Sequence, residues 1–237
     1  MMCMKCGFPK EGKPDFTVYD SEVRDDSIYG FKCRYGHDNV VVVQEDKFEV
    51  LFEIGLNAIV DGYYREAVSS ITSSLERFYE FCMRVIAHKF KIPPDRFDIG
   101  WKQIKNQSER QLGGFVIAHL LNTGVAPTLL DTKLVTFRND VIHKGRIPLQ
   151  AEAIEYANTV LGLINPTLLE MKKSMGQQVN DIVMNRMKAL HARLDPKLQR
   201  ALMSIGSTVS VALAATEPHP TNVEERLQRL AKRKYRA

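Results

Sequence analysis

The sequence predicts a mainly α protein that carries a small β unit at its N-terminus. From residue 46 to about residue 175, apolar residues recur at intervals of three and four, which is typical of helices. Residues 1–45 instead contain short β-branched and aromatic segments between cysteines. We therefore expect a β unit in residues 1–45, a helical domain in residues 46–175, and a C-terminal helical extension with a basic tail in residues 176–237.

Composition places the chain among folded proteins. With 237 residues, of which 44% are hydrophobic and 26% charged, it can bury one sizeable core and a small accessory unit. No apolar run approaches the length of a membrane span, and the N-terminus lacks an apolar signal core, so we expect a cytoplasmic protein with no membrane contact. The net charge of +5 allows a polyanionic partner such as RNA without demonstrating one.

Two short pairs of metal-ligating residues lie in the N-terminal unit. Cys3 and Cys6 form the first pair, and Cys33 and His37 form the second. Each pair can sit on one tight turn, and the segment between them can fold back as a hairpin, as a tetrahedral zinc site requires. Four protein ligands leave no open position, so we expect structural Zn²⁺ in a zinc-ribbon-like unit; the alternative is a set of reduced thiols in a disordered segment. The strands are expected at residues 16–19, 28–32 and 39–43.

Cys82 is the alternative fourth ligand. It lies on an apolar stripe of a helix expected over residues 64–89. A free cysteine in such a stripe behaves as a small apolar residue, so we interpret Cys82 as part of the core.

The helical domain begins with a predicted hairpin. A first helix is expected over residues 47–61 and a second over residues 64–89, and the short connection around Gly62 makes them antiparallel. Pro93 and Pro94 should end this unit, and residues 91–107 are expected to form a loop.

Further helices follow along the chain. One should start at Ser108 with Gln111 completing a capping box, and another should run from about Gln150 with a kink at Pro166. The C-terminal extension should contain an amphipathic helix near residues 179–190 and a short helix from Pro196. The last helix is basic and either contacts phosphates or is simply solvated; its cations include Arg229, Lys232 and Arg233.

The helix expected over residues 128–144 concentrates reactive side chains near its end. Arg138, Asn139 and His143 lie within six residues, and Lys144 follows. In a straight helix Arg138 and His143 point about 140° apart, so they cannot share one face. Their convergence requires the long arginine stem, a distorted helix end, or a second copy of the chain.

The Arg-x4-His spacing, with asparagine directly after the arginine, resembles the signature of the HEPN family (higher eukaryotes and prokaryotes nucleotide-binding). The long hairpin ahead of it, from Tyr64-Arg65-Glu66-Ala67 to Leu75-Glu76-Arg77-Phe78-Tyr79, resembles the helical core of that family. The resemblance implies an all-α HEPN-like bundle, a homodimer, and metal-independent cleavage of RNA. It also implies a toxin or antiviral defence effector, with an antitoxin or regulatory protein as a further partner.

The residues suit this chemistry. His143 can transfer protons near neutral pH, Arg138 can stabilise charge on phosphoryl oxygens, and Asn139 can orient His143 or hold the phosphate. One imidazole cannot easily be base and acid at once, so two protomers would supply two. Glu76 is either a further member or a surface residue. The predicted nucleic-acid contacts are Lys144, Arg229, Lys232 and Arg233. The alternative function is a non-catalytic HEPN-like module that binds nucleotide, RNA or a protein.

Overall fold

The chain is mainly helical and has one small sheet, as the sequence predicts. The computed structural model describes residues 1–212 and 220–234. Within these residues, eight helices and three strands occur in this order: α1 (Met4–Gly7), β1 (Ile28–Lys32), β2 (Asp38–Val43), α2 (Lys47–Val60), α3 (Tyr64–Lys89), α4 (Pro94–Ile104), α5 (Ser108–Thr123), α6 (Thr132–His143), α7 (Gln150–Ala192), β3 (Gln199–Met203) and α8 (Glu224–Lys234).

The helices and strands form two compact units. Unit 1 consists of Met1–Glu45 together with Val183–Gly206, and unit 2 consists of the rest of the chain. Unit 1 therefore contains the whole sheet and the last turns of α7. Unit 2 contains α2 to α6, most of α7, and α8.

The sheet of unit 1 has the order β1-β2-β3. β1 and β2 pair as an antiparallel hairpin, and β3 lies parallel to β2. Val40 and Val42 of β2 are buried against the end of α7, where Met187 and Leu190 face them. The sheet thus closes over a small apolar core of its own.

Two local predictions for unit 1 are wrong. Residues 16–19 form no strand, since only Val18 makes an isolated bridge, to Met2. The third strand comes from residues 199–203, where a helix was expected. This segment pairs with the free edge of β2, and such a long-range partner leaves no signal in the local sequence.

Unit 2 begins with the predicted hairpin of α2 and α3. Asp46 and Glu49 form a capping box at the start of α2, and Gly62 adopts a positive φ of 82° in the connection to α3. The two helices lie very close at Gly55, where an added Cβ would come within 2.5 Å of Ile71 Cγ1. Glycine at this position sets the distance between the helices.

Helix α3 is the centre of unit 2, and α2, α4, α5 and α6 pack against it. Aromatic pairs fill the contacts. Phe48 of α2 meets Phe78 with ring centroids 5.2 Å apart, and Tyr79 stacks on Phe115 of α5 at 4.5 Å. The stripe that contains Cys82 is buried, and burial raises the pKa of this thiol well above its usual value, as expected for a core cysteine.

Residues 91–107 are not a loop, because α4 occupies most of them. Pro94 takes the first helical position, where a missing N–H costs nothing, and Trp101 is buried. The capping box at Ser108 is also absent. The Gln111 side chain instead accepts a hydrogen bond from Arg77 and donates one to the Lys105 carbonyl.

Helix α7 is interrupted by a kink. Its non-helical dihedral angles fall at Met175 (φ −140°, ψ 34°), further along the helix than Pro166, where the kink was expected. In unit 2, α8 is anchored by Arg226, whose guanidinium donates two hydrogen bonds to the buried carboxylate of Glu53, at 2.7 and 2.9 Å.

Candidate functional site

The side chains of the predicted catalytic motif lie on α6, a regular helix. Asp131 caps its start by accepting a hydrogen bond from the Leu134 N–H at 2.8 Å. Phe137 and Val141 bury one face of the helix, and Gly145, with a φ of 74°, follows its end. His143 is therefore the last helical residue.

Arg138 faces a cavity of about 90 Å³ in unit 2. The side chain is half-buried, and its Nε is buried without a hydrogen-bond partner among the residues that the structure describes. The cavity is formed by α3, α5, α6, α7 and the segment before α6. Its lining residues with polar groups are Thr72, Glu76, Tyr79, Ser108, Glu109, Arg138 and Tyr156.

The positive charge of Arg138 affects the pKa values of two buried tyrosines. Burial raises the pKa of Tyr156 to about 12 and that of Tyr79 further still, and the positive charge of Arg138 opposes both increases. Glu76 acts in the opposite direction on both phenols. Tyr156 is also fixed by a 2.8 Å hydrogen bond between its hydroxyl and that of Thr72. The cavity therefore combines one cation, two carboxylates and two phenols.

The other residues of the motif point elsewhere. Asn139 is half-buried and His143 is exposed, and neither lines the cavity that Arg138 faces. Asp140 forms an ion pair with Lys144, in which Lys144 Nζ lies 2.8 Å from Asp140 Oδ1. The Asp140 carboxylate raises the pKa of Lys144. The five-residue spacing predicts that Arg138 and His143 point apart on a straight helix. The structure agrees, because within one chain α6 does not bring the two side chains to a common point.

Some cavity residues could not be singled out from the sequence. Glu76, which the sequence offers as a further member of the site or as a surface residue, lines the cavity. The sequence does not mark Tyr79 and Tyr156 as cavity residues, because each lies in an apolar helical stripe, as core residues do. Tyr79 lies one turn after Glu76, which is a weak signal, whereas Tyr156 reaches the cavity only through tertiary packing.

The four predicted metal ligands come together in unit 1. All ligand atoms of Cys3, Cys6, Cys33 and His37 lie within 4.8 Å of one another. Sγ of Cys6 is 3.8 Å from Sγ of Cys33, and His37 Nδ1 is 3.7, 3.3 and 3.5 Å from the sulfurs of Cys3, Cys6 and Cys33. This cluster can hold a metal ion.

Tight turns create the cluster. The Cys33 carbonyl accepts from the Gly36 N–H at 2.8 Å, the Cys33 N–H donates to the His37 carbonyl at 3.1 Å, and Gly36 has the positive φ that this turn requires. The first pair is turned by α1, where the Gly7 N–H donates to the Cys3 carbonyl at 2.9 Å. Asn39 Nδ2 donates to the same His37 carbonyl, which fixes the second turn.

The thiols of the cluster alter one another's pKa values. Burial and the neighbouring sulfurs of Cys3 and Cys33 raise the pKa of Cys6 to about 12. Burial acts in the same direction on Cys3, but hydrogen bonds from the Cys6 backbone and from the side chains of Cys6, His37 and Asn39 lower its pKa to about 6. Several thiolates this close repel one another, and a bound cation would remove that repulsion.

The predicted phosphate contacts of the tail are only partly free. Arg229 forms an ion pair with Glu225 one turn earlier on α8, whereas Lys232 and Arg233 are exposed. Arg226 is held by Glu53 and is not free to contact a phosphate.

Across the described ranges, no helix is both long enough and apolar enough to cross a bilayer. Comparison with known proteins gave no family model, no curated protein and no solved structure that matches the chain.

Proposed function

We propose that the protein is a metal-independent endoribonuclease of HEPN type, with a composite centre built from Arg138, Asn139 and His143 of two protomers. The observation that carries this proposal is the half-buried Arg138, whose Nε has no partner in the described chain and whose side chain faces a cavity. A buried donor without a partner costs stability. Such a cost is understandable where an anion supplies the missing partner during function.

The proposed reaction is attack of a ribose 2′-oxygen on the adjacent phosphorus. The O2′–P bond forms and the P–O5′ bond breaks, which leaves a 2′,3′-cyclic phosphate and a free 5′-hydroxyl. One His143 accepts the proton of the 2′-hydroxyl, and the other donates a proton to O5′. Arg138 stabilises the charge on the phosphoryl oxygens, and Asn139 holds the phosphate or orients the imidazole.

A homodimer is part of this proposal because each chain offers one exposed His143. The two-fold axis of a dimer can place two copies of α6 side by side, so that each protomer contributes a histidine. The exposure of His143 at the helix end leaves it accessible to such a partner. A toxin or defence role, with a regulatory protein partner, belongs to the same proposal.

The first test compares wild type and His143→Ala on labelled mixed RNA in the presence of a chelator. We expect wild type alone to cleave, with 2′,3′-cyclic phosphate ends, and the variant to lose about 10²- to 10⁴-fold in rate. His191→Ala is the matched control, since it removes another imidazole outside α6. Intact RNA with wild type, or equal cleavage by His143→Ala, would refute the proposal.

The second test addresses the composite centre. Wild type and His143→Ala are mixed at a constant total concentration, and cleavage is measured after subunit exchange. If both histidines serve one centre, activity follows the square of the wild-type fraction, so a 1:1 mixture retains about one quarter. Independent protomers would retain about one half, which would contradict the shared centre.

We further propose that the Cys3, Cys6, Cys33 and His37 cluster holds structural zinc in a zinc-ribbon-like unit. A tetrahedral zinc ion with bonds of about 2.3 Å to sulfur and about 2.0 Å to nitrogen separates two sulfurs by about 3.8 Å, and a sulfur and a nitrogen by about 3.5 Å. The separations in the cluster are 3.8 Å and 3.3–3.7 Å. Four protein ligands support a structural ion, because no position is left for a reacting water.

A second function is favoured by the divergence of the motif. Arg138 faces the cavity while His143 is exposed outside it, which suits a non-catalytic module that binds a nucleotide, RNA or a protein through Arg138 alone. Binding of RNA that weakens in Arg138→Ala, without cleavage and without an effect of His143→Ala, would establish this function instead.

A further inference from the structure

Three aromatic side chains are exposed beside the cysteine–histidine cluster. Phe8, Phe16 and Tyr35 expose 64%, 58% and 59% of their surface. A group of exposed aromatic side chains that lie together is typical of a binding surface. They belong to unit 1, whereas the cavity that Arg138 faces belongs to unit 2.

These rings are held together by the two ligand-bearing turns. Phe8 follows Cys6 by two residues, and its ring lies 6.3 Å from that of Phe16, edge to face. Phe16 is positioned by its neighbour Asp15, whose N–H donates to the Cys6 carbonyl at 2.8 Å.

An ion pair joins this first pair of rings to the second turn. Asp15 lies 3.0 Å from the guanidinium of Arg34, which in turn lies 5.0 Å from the ring centre of Tyr35. Arg34 and Tyr35 stand between the ligands Cys33 and His37 in sequence. Asp15 therefore links the pair Phe8 and Phe16 to the pair Arg34 and Tyr35, and these four side chains are called here the aromatic surface.

The two segments that carry the aromatic surface contain more basic than acidic side chains. Residues 5–16 and 32–38 contain five basic side chains and three acidic ones. Two of the three carboxylates, Asp15 and Asp38, are already paired with Arg34 and Lys32. The exposed lysines that remain are Lys5, Lys10 and Lys13.

We propose that the aromatic surface binds single-stranded nucleic acid by stacking unpaired bases on Phe8, Phe16 and Tyr35. Exposed rings interleaved with cations fit this ligand, since the rings meet base faces while lysine and arginine meet phosphates. A duplex does not fit, because its base faces are covered by their neighbours. This inference does not rest on cleavage by α6.

The test measures binding of the full-length, metal-loaded protein to fluorescent oligonucleotides by anisotropy. A 2′-O-methyl RNA strand is used because it lacks the 2′-hydroxyl nucleophile, so that binding is read without cleavage. A DNA strand of the same sequence shows whether the sugar matters, and a matched duplex should bind more weakly. Phe8→Ala, Phe16→Ala and Tyr35→Ala should each weaken single-strand binding roughly 5- to 150-fold.

Matched variants separate stacking from damage to the fold. Phe90→Ala removes a phenylalanine of similar exposure, 56%, from unit 2 and should leave binding unchanged. Tyr35→Phe keeps a ring and should retain affinity close to wild type. The metal content of every variant is measured, so that a loss of the cluster is recognised.

Two results would overturn the proposal. One is single-strand binding that is absent, or unchanged in all three alanine variants with intact metal content. The other is unchanged binding accompanied by an altered association state in sedimentation, which would make the aromatic surface a protein contact. Because the probe cannot be cleaved, neither result depends on whether α6 is catalytic.

Discussion

The metal cluster and the motif helix bring polar side chains together in different ways. In the cluster, each pair of ligands sits on a tight turn, so Cys33 and His37 fold back on each other and meet the first pair. On α6, Arg138 and His143 are separated by a similar number of residues, but the rigid helix turns them apart. Spacing in sequence therefore predicts convergence for ligands on one short turn, and divergence for two side chains five residues apart on a helix.

The two units also differ in what stabilises them. Unit 2 buries a large aromatic core around α3, with rings from α2 and α5 in contact. The cysteine end of unit 1 has a smaller apolar contact, in which the partly buried Tyr19 and Phe31 pack against the cluster. We therefore expect the ligand-bearing turns of unit 1 to depend on a bound metal, whereas the sheet of unit 1 and the whole of unit 2 depend on side-chain packing.

Cys33→Ser should have the largest effect. Removing one ligand costs much of the metal-binding free energy, which is about 10–16 kcal/mol at structural zinc sites. The two ligand-bearing turns should therefore lose their structure, while β2, which packs on Met187 and Leu190, and α2 to α6 remain folded. Metal content by mass spectrometry and hydrogen exchange of the turn amides measure this outcome. Cys82→Ala is the control, because it removes a thiol from the core and should leave metal content unchanged. Full metal loading of Cys33→Ser would contradict the ligand set.

Gly55→Ala should destabilise unit 2 and spare the metal cluster. Its new Cβ would meet Ile71 Cγ1 at 2.5 Å, so α2 and α3 must separate, at a cost of about 1–3 kcal/mol in the free energy of unfolding. Urea denaturation followed by circular dichroism measures the change. Gly113→Ala lies in α5 with open space around it and should instead stabilise by up to about 1 kcal/mol. Equal effects of the two variants would show that the α2–α3 contact is not tight.

The sequence predicted those parts of the fold whose cause is local. The boundaries of α2 and α3 follow from a sustained apolar period, the Asp46 cap and Gly62, and all of these act within a few residues. The ligand set of the cluster was predictable for the same reason, since each pair occupies one turn.

The missed parts have non-local or competing causes. β3 forms because the free edge of β2 is available for pairing. The sequence near residue 199 contains no indication of that edge. α4 is not predicted because two consecutive prolines, Pro93 and Pro94, are typical of the end of a helix. Proline at the first helical position is equally compatible with the start of a helix, and Pro94 takes that position. Tyr156 reaches the cavity through the packing of α7, so its presence beside Arg138 follows only from the folded chain.

Arg138→Met should have the smallest effect on stability and a decisive effect on function. The substitution replaces a half-buried cation, whose Nε has no partner in the described residues, with an apolar chain of similar length. Removing an unsatisfied buried donor should raise the free energy of unfolding by about 1 kcal/mol, while RNA cleavage is lost with the charge. Denaturation and cleavage assays on the same preparation measure both changes. Arg110→Met, an exposed arginine of α5, should alter neither. A marked loss of stability in Arg138→Met would instead make the guanidinium a structural partner of Glu76 and the two phenols, and the cavity would then no longer support a catalytic role for α6.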